Sequence, residues 1–169
     1  MDIVTERLRL TPRTLADLEA SYDLDQQPGV LDYVQGPWHD QALHRAFIHD
    51  RITRDYGPGL GYWSVFAHSE PERFLGWVLL IPVNAVGPQI EIGWRLRPEH
   101  WGKGYATEAA RALLHYAFAE RQLVEIIADI APANEASKRV ALKIGLRQTD
   151  RISNGYQRFE LTAAEFCRQ

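Results

Sequence analysis

Apolar and polar residues alternate from Ile3 to Leu10, with Ile3, Thr5, Arg7 and Arg9 on one side and Val4, Leu8 and Leu10 on the other. That period of two predicts a strand. Thr14 with Asp17 three residues on has capping-box spacing and opens a helix to about Asp25. Pro28–Gly29 and Gly36–Pro37 punctuate a loop. Helical spacing returns over His39–Tyr56, with Leu43, Ala46, Phe47 and Ile48 on one stripe, and Gly57–Pro58–Gly59 stops it. Gly61–Ala67 and Phe74–Ile81 read as strands around a polar turn, the second apolar on both faces and therefore central. Ile90–Leu96 alternates strictly, setting Ile90, Ile92, Trp94 and Leu96 against Glu91, Gly93 and Arg95. A helix over Tyr105–Arg121 and a strand over Leu123–Ile130 follow. Asn134 caps a helix to about Ile144, Gly145 stops it, and strands near Leu146–Ile152 and Tyr156–Leu161 flank the Asn154–Gly155 turn. A short helix around Thr162–Arg168 ends the chain.

The order β-α-α-β-β-β-α-β-α-β-β predicts an α/β domain of the mixed α+β kind. Its expected centre is a mixed, mostly antiparallel sheet of about seven strands with helices on both faces. The 169 residues, 46% of them apolar and without repeats or linkers, fit one domain over 1–169. Cys167 stands alone, which rules out an intrachain disulfide and a cysteine zinc site and points to a reducing compartment, the cytoplasm. No secretory signal opens the chain, and Phe74–Ile81 is too short an apolar run to span a bilayer. Six histidines show no metal-ligand spacing, so no metal is expected.

A net charge of −3 argues against binding a nucleic-acid backbone. The total conceals a split. Residues 1–84 carry 7 basic and 12 acidic side chains, whereas residues 85–169 carry 12 and 10. Where the halves meet at one site, the second suits an anion and the first a cation; scattered surface charge gives the same count.

The chemistry-bearing stretch is Glu91–Ala109, E-I-G-W-R-L-R-P-E-H-W-G-K-G-Y-A-T-E-A. A strand runs into a loop with two glycines and then into a helix. Gly102 and Gly104 permit positive φ and close approach, and the free amides of Lys103–Thr107 at the helix start form an anion site to which Lys103 adds a full charge. Neither the dinucleotide-binding nor the nucleotide-hydrolysing glycine pattern is present. The run Trp101-Gly102-Lys103-Gly104-Tyr105-Ala106 resembles the acyl-CoA loop, Q/R-x-x-G-x-G/A, of the GNAT superfamily of N-acyltransferases. The string WGKGYATEA, the opening TERLRLTPRTLADLEA and the pattern Asn134-x-x-Ser137-x-x-Val140-x-x-x-x-Gly145 resemble its ribosomal-protein alanine N-acetyltransferase (RimJ/RimL-like) branch. Two positions depart from the superfamily: Trp101 replaces the Gln or Arg of the loop, and Ala141 replaces a tyrosine that in many members protonates the leaving thiolate.

The resemblance implies a GNAT-like fold and transfer of an acetyl group from acetyl-CoA to a primary amine. The acceptor is a protein N-terminal α-amine, or alternatively a small amine such as an antibiotic, polyamine or amino-acid derivative. A non-catalytic acyl-CoA-binding or sensing module is the alternative of another class. The implied cofactor contacts are Trp94, Leu96, Trp101, Gly102, Lys103, Gly104, Tyr105, Ala106, Thr107, Asn134 and Ser137. Glu91 is either the general base or a strand carboxylate bonded to nearby backbone. Ser137, and after it Tyr156, are the candidate proton donors to the thiolate. A backbone N–H on Ile92–Leu96 is the expected oxyanion donor. Tyr33, Trp38 and Trp63 are expected to wall the acceptor site, with Asp32, Asp40, Asp50 and Asp55 drawing in a cationic amine. The chain is expected to act as a monomer or homodimer.

Overall fold

The computed structural model describes residues 1–169. Strands β1 (Ile3–Val4), β2 (Leu8–Pro12), β3 (Gly61–Ala67), β4 (Glu70–Pro82), β5 (Ile90–Leu96), β6 (Glu125–Ile130), β7 (Arg147–Ser153) and β8 (Tyr156–Thr162) form a single sheet. Its order is β1-β2-β3-β4-β5-β6-β8-β7, antiparallel throughout except where β5 meets β6. The eighth strand arises because Ile3–Leu10 breaks at Thr5. The Thr5 hydroxyl donates to the Glu108 carboxylate at 2.6 Å and accepts from the Leu8 amide at 3.0 Å, so the chain turns there.

Helices α1 (Leu18–Asp25) and α2 (Gln41–Thr53) cover one face of the sheet; α3 (Tyr105–His115) and α4 (Glu135–Lys143) cover the other. The α3 side holds the main core, where Leu8, Leu10, Val65, Val78 and Leu80 meet Ala109, Ala110, Leu113 and Leu114. The α1 side holds a smaller cluster of Leu24, Tyr56, Phe74, Trp77, Leu79 and Ile81. Apolar residues on both faces of β4 make it central. The helix expected over Tyr105–Arg121 is α-helical only to His115 and then widens into a π turn over Tyr116–Glu120. A short α5 (Ala163–Phe166), opened by a Thr162–Glu165 capping box, stacks Phe166 on Phe118. No helix is long and apolar enough to cross a membrane.

Asp25 ties the α1–α2 layer to the sheet. Its carboxylate takes the His44 Nε2 at 2.8 Å and the Arg95 guanidinium at 2.7 Å, all three side chains being largely buried. Arg97 pairs with Asp23 alongside. Both arginines lie at the C-terminal end of β5, so the helix layer is clipped to the strand that leads into the glycine loop.

Candidate active site

Strands β5 and β6 run parallel and share one bridging pair, Glu91 with Ile127. Beyond it they part, and the gap opens into a cleft of about 750 Å³. The Arg97 amide donates to the Leu75 carbonyl, so odd-numbered residues of β5 turn their backbone groups to β4 and even-numbered ones face the gap. The backbone of Trp94 therefore borders the cleft with no strand opposite it. The Leu96 carbonyl, expected to receive the cofactor arm, instead accepts the Trp101 indole N–H at 2.8 Å, and its side chain is in the core.

Glu91, Trp94, Asn134, Ser137, Tyr33 and Tyr156 all line this cleft, although four separate places in the chain supply them: β5, the start of α4, the α1–α2 segment and β8. Asn134 caps α4 by accepting from the Ser137 amide at 3.1 Å, which fixes the turn on which the Ser137 side chain sits. The Tyr156 hydroxyl donates to the Tyr33 carbonyl at a long 3.5 Å, joining the two walls. Burial, and next the Asp129 carboxylate, raise the Glu91 pKa to about 7 against the lowering influence of Arg51 and Arg158.

The loop between β5 and α3 is built as its glycines suggest. Gly102 and Gly104 sit at φ +72° and +80°, and a Cβ at Gly102 would meet nothing within 4 Å, leaving the backbone open to a ligand. A helix start of this kind, with free backbone amides and an exposed glycine loop, has the form of an anion cradle. Arg7 braces the loop, donating to the Lys103 carbonyl at 2.9 Å, pairing with Glu108 and lying over the Tyr105 ring. Thr107 shares a polar hollow with Arg111 and Lys143, Ala106 packs against the core, and Lys103 lies beside a smaller hollow with His100. Trp101 is 50% exposed, its ring edge beside Gly29 in the α1–α2 segment.

Several expected acceptor contacts fall elsewhere. Trp63 is 6% exposed in the main core, edge-on to Tyr116, because its position on β3 faces α3. Trp38 does not line the cleft; it packs on His44 and Phe47 and donates to the Val34 carbonyl, holding the segment that carries Tyr33. The first-half acids are committed too: Asp40 caps α2, Asp50 pairs with Arg54, Asp55 accepts from the Gly57 amide, and Asp32 stays outside the lining. The carboxylates on the cleft are Glu91 and Asp129, both from the second half. Asp129 escaped the sequence reading because its signal is only the alternation Glu125, Ile127, Asp129. That row becomes meaningful once Ile127 is paired with Glu91.

An unpaired strand edge and a polar helix start thus share one cleft, and the open glycine loop lies outside its lining, beyond the C-terminal end of β5. A family model for the GNAT acetyltransferase domain matches residues 7–147. The chain is 33% identical over 168 residues to the FsC-acetyl coenzyme A-N(2)-transacetylase of Aspergillus fumigatus, covering 90% of this chain and 67% of that protein. An acetyltransferase from Agrobacterium tumefaciens superposes with a TM-score of 0.80 at 27% identity, covering 95% of this chain and 94% of that one. RimL, a ribosomal α-N-protein acetyltransferase solved with coenzyme A, superposes with a TM-score of 0.74 over 96% of this chain and 98% of that one. At 17% identity its likeness is one of fold. The chain belongs to the GNAT acetyltransferase family, an N-acetyltransferase with acetyl-CoA as its cosubstrate.

Proposed function

We propose that this enzyme acetylates an α-amine, foremost the N-terminus of a protein, with Glu91 as the base. The observation that carries the reading is a cleft-lining carboxyl raised to about 7 where the sheet parts. An α-amine has a pKa of about 7.7–8.0 and a lysine-like amine about 10.4. A base near 7 is matched to the first and several units short of the second. The uncharged walls Tyr33, Val34 and Gln35 on one side and Ser153, Asn154 and Tyr156 on the other suit a chain end entering tip first. A small α-amino compound is the second reading, favoured by the relative named as an N(2)-transacetylase.

Glu91 takes one proton from the ammonium. The freed nitrogen pair forms the C–N bond as the C–S bond breaks, and the Trp94 amide on the open edge is the oxyanion donor. The Ser137 hydroxyl donates to the leaving sulfur, which takes the second proton shed by the nitrogen. The net products are amide, thiol and one released proton. Tyr156, whose hydroxyl is directed to Tyr33, is the lesser donor. Lys103 and the loop amides hold the pyrophosphate, with Gly102, Gly104, Tyr105, Ala106 and Thr107 shaping the cradle and Asn134 beside the pantetheine arm. The lone Cys167, exposed and free, accords with a cytoplasmic location.

The test is acetyl-CoA turnover across N-terminal peptides, α-amino compounds and alkyl amines. Peptides with a free α-amine are expected to lead, and kcat/KM is expected to rise through pH 7 as Glu91 ionises. Glu91→Gln should lower kcat/KM by about two orders of magnitude and make the remainder climb with pH as the amine deprotonates unaided. Wild-type rate and pH profile in that variant would remove the base assignment. Preference for alkyl amines would remove the acceptor class.

A further inference from the structure

Asp129 is the other carboxylate on the cleft. On β6 it stands two residues beyond Ile127, on the same face as Glu91 and level with Gly93, where the strands have separated. Glu91 thus marks the vertex of the gap and Asp129 the next step along its opening arm. Between Glu91 and Arg95 on β5, Gly93 carries no side chain of its own, and Leu79 of β4 packs over it, 3.1 Å from where a Cβ would stand.

Its neighbours hold Asp129 firmly. Arg158 lies directly across on β8 and grips both oxygens, Nε to Oδ1 at 2.9 Å and Nη2 to Oδ2 at 2.8 Å. The same guanidinium donates Nη1 to the Gln89 side chain at 2.8 Å, and Gln89 donates onward to Glu125 at 3.1 Å. Asp129 and Arg158 are 17% and 12% exposed, so the pair is only lightly screened. Each carboxylate oxygen has room to accept two hydrogen bonds, and the guanidinium donates one to each. The remaining acceptor sites are left for a ligand in the cleft.

We propose that Asp129 is a substrate-positioning residue: with Glu91 it receives the acceptor's ammonium group across the gap, while Arg158 holds its carboxylate aimed. This deepens the proposed base role of Glu91 and rests on it. The ammonium, bridging two carboxylates, hands its proton to the one at the vertex. The other, tied to Arg158, holds the amine in line with the free edge of β5. Anionic or neutral nucleophiles would lack this contact, so the site selects amines that arrive protonated.

The groups facing Glu91 are Asp129 from β6, Arg158 from β8 and Arg51 from α2, with uncharged Tyr33 and Tyr156 at the walls. Asp129 raises its pKa and Arg158 lowers it. The two partners therefore predict opposite effects. With a short peptide carrying a free α-amine, Asp129→Asn should raise the acceptor KM by about tenfold, the worth of one charged hydrogen bond, and leave the acetyl-CoA KM unchanged. It should also move the acidic limb of kcat/KM to lower pH. Arg158→Gln should move that limb to higher pH. An acceptor KM within about twofold of wild type for Asp129→Asn, with an unmoved limb, overturns the inference. So do limbs that shift in the same direction, which is what mere loosening would give. Should Asp129→Asn not fold, Asp129→Asn combined with Arg158→Gln removes both charges, and a raised acceptor KM there decides in favour. Activity retained in Glu91→Gln would sink the base reading and this one together; activity lost there but untouched in Asp129→Asn sinks this one alone.

Discussion

A carboxyl that ionises near neutrality is costly to keep in a folded protein. Glu91 titrates at about 7 in the fold against 4.5 when free, so between those values the native state binds more protons than the unfolded one. Stability from this group is therefore complete below pH 4.5, falls as pH rises towards 7 and stays low above. Glu91→Gln is expected to be more stable than wild type at pH 8, by about 3 kcal/mol at most, and no more stable at pH 4. Denaturant midpoints at the two pH values check it; equal differences at both would mean the carboxyl is not destabilised. The residue proposed as the base thus weakens the fold, a trade familiar at active sites. Arg13 and Tyr62, stacked 3.8 Å apart in the same layer, show burial acting on the other ionisable groups: the guanidinium is lowered to about 10 and the phenol raised to about 12.

Among the elements, the turn from β5 into α3 concentrates the most function in the fewest residues. Gly104 is the residue that starts the helix from a left-handed conformation, φ +80°, and a Cβ there would lie 3.3 Å from the Arg7 guanidinium. Gly104→Val adds a branched side chain where φ is unfavourable, in the loop proposed to hold the phosphates. Acetyl-CoA binding by calorimetry is expected to weaken by at least about tenfold, and unchanged affinity would refute the loop as the phosphate cradle. This element was legible from sequence because its signal is local: two glycines, a lysine and a helix start within a few residues. The Glu91 row was legible for the same reason, through strict alternation. Alternation tells which residues share a face, not which face meets the cleft, so it leaves the side taken by Trp63 open; Trp38, in the loop before α2, carries no periodic signal at all. Trp63 and Trp77, on neighbouring strands, fall on opposite sides of the sheet.

At the scale of the whole molecule, the α1–α2 layer meets the sheet through Asp25 as much as through apolar packing. Asp25→Ala leaves Arg95 and His44 buried without their common partner. It should cost about 3–5 kcal/mol in denaturant unfolding, far more than loss of an exposed pair; a cost under about 1 kcal/mol would show the layer held by packing alone. Such long-range ties were beyond the sequence: Asp25 and Arg95 are 70 positions apart, and no periodicity links them. The charge split between halves was visible, yet the acidic side chains of the first half went to caps and pairs and the cleft drew its carboxylates from the second. The parting of β5 from β6 has one more result. Hydrogen bonding runs unbroken from β1 to β5 and again from β6 through β8 to β7, but barely crosses the join. Mechanically the sheet is two plates butted edge to edge, held in alignment by the side chains packed behind them. A guest that wedges the plates apart breaks almost no ladder bonds and works against that packing and the Gln89 hydrogen bonds to Glu125 and Arg158.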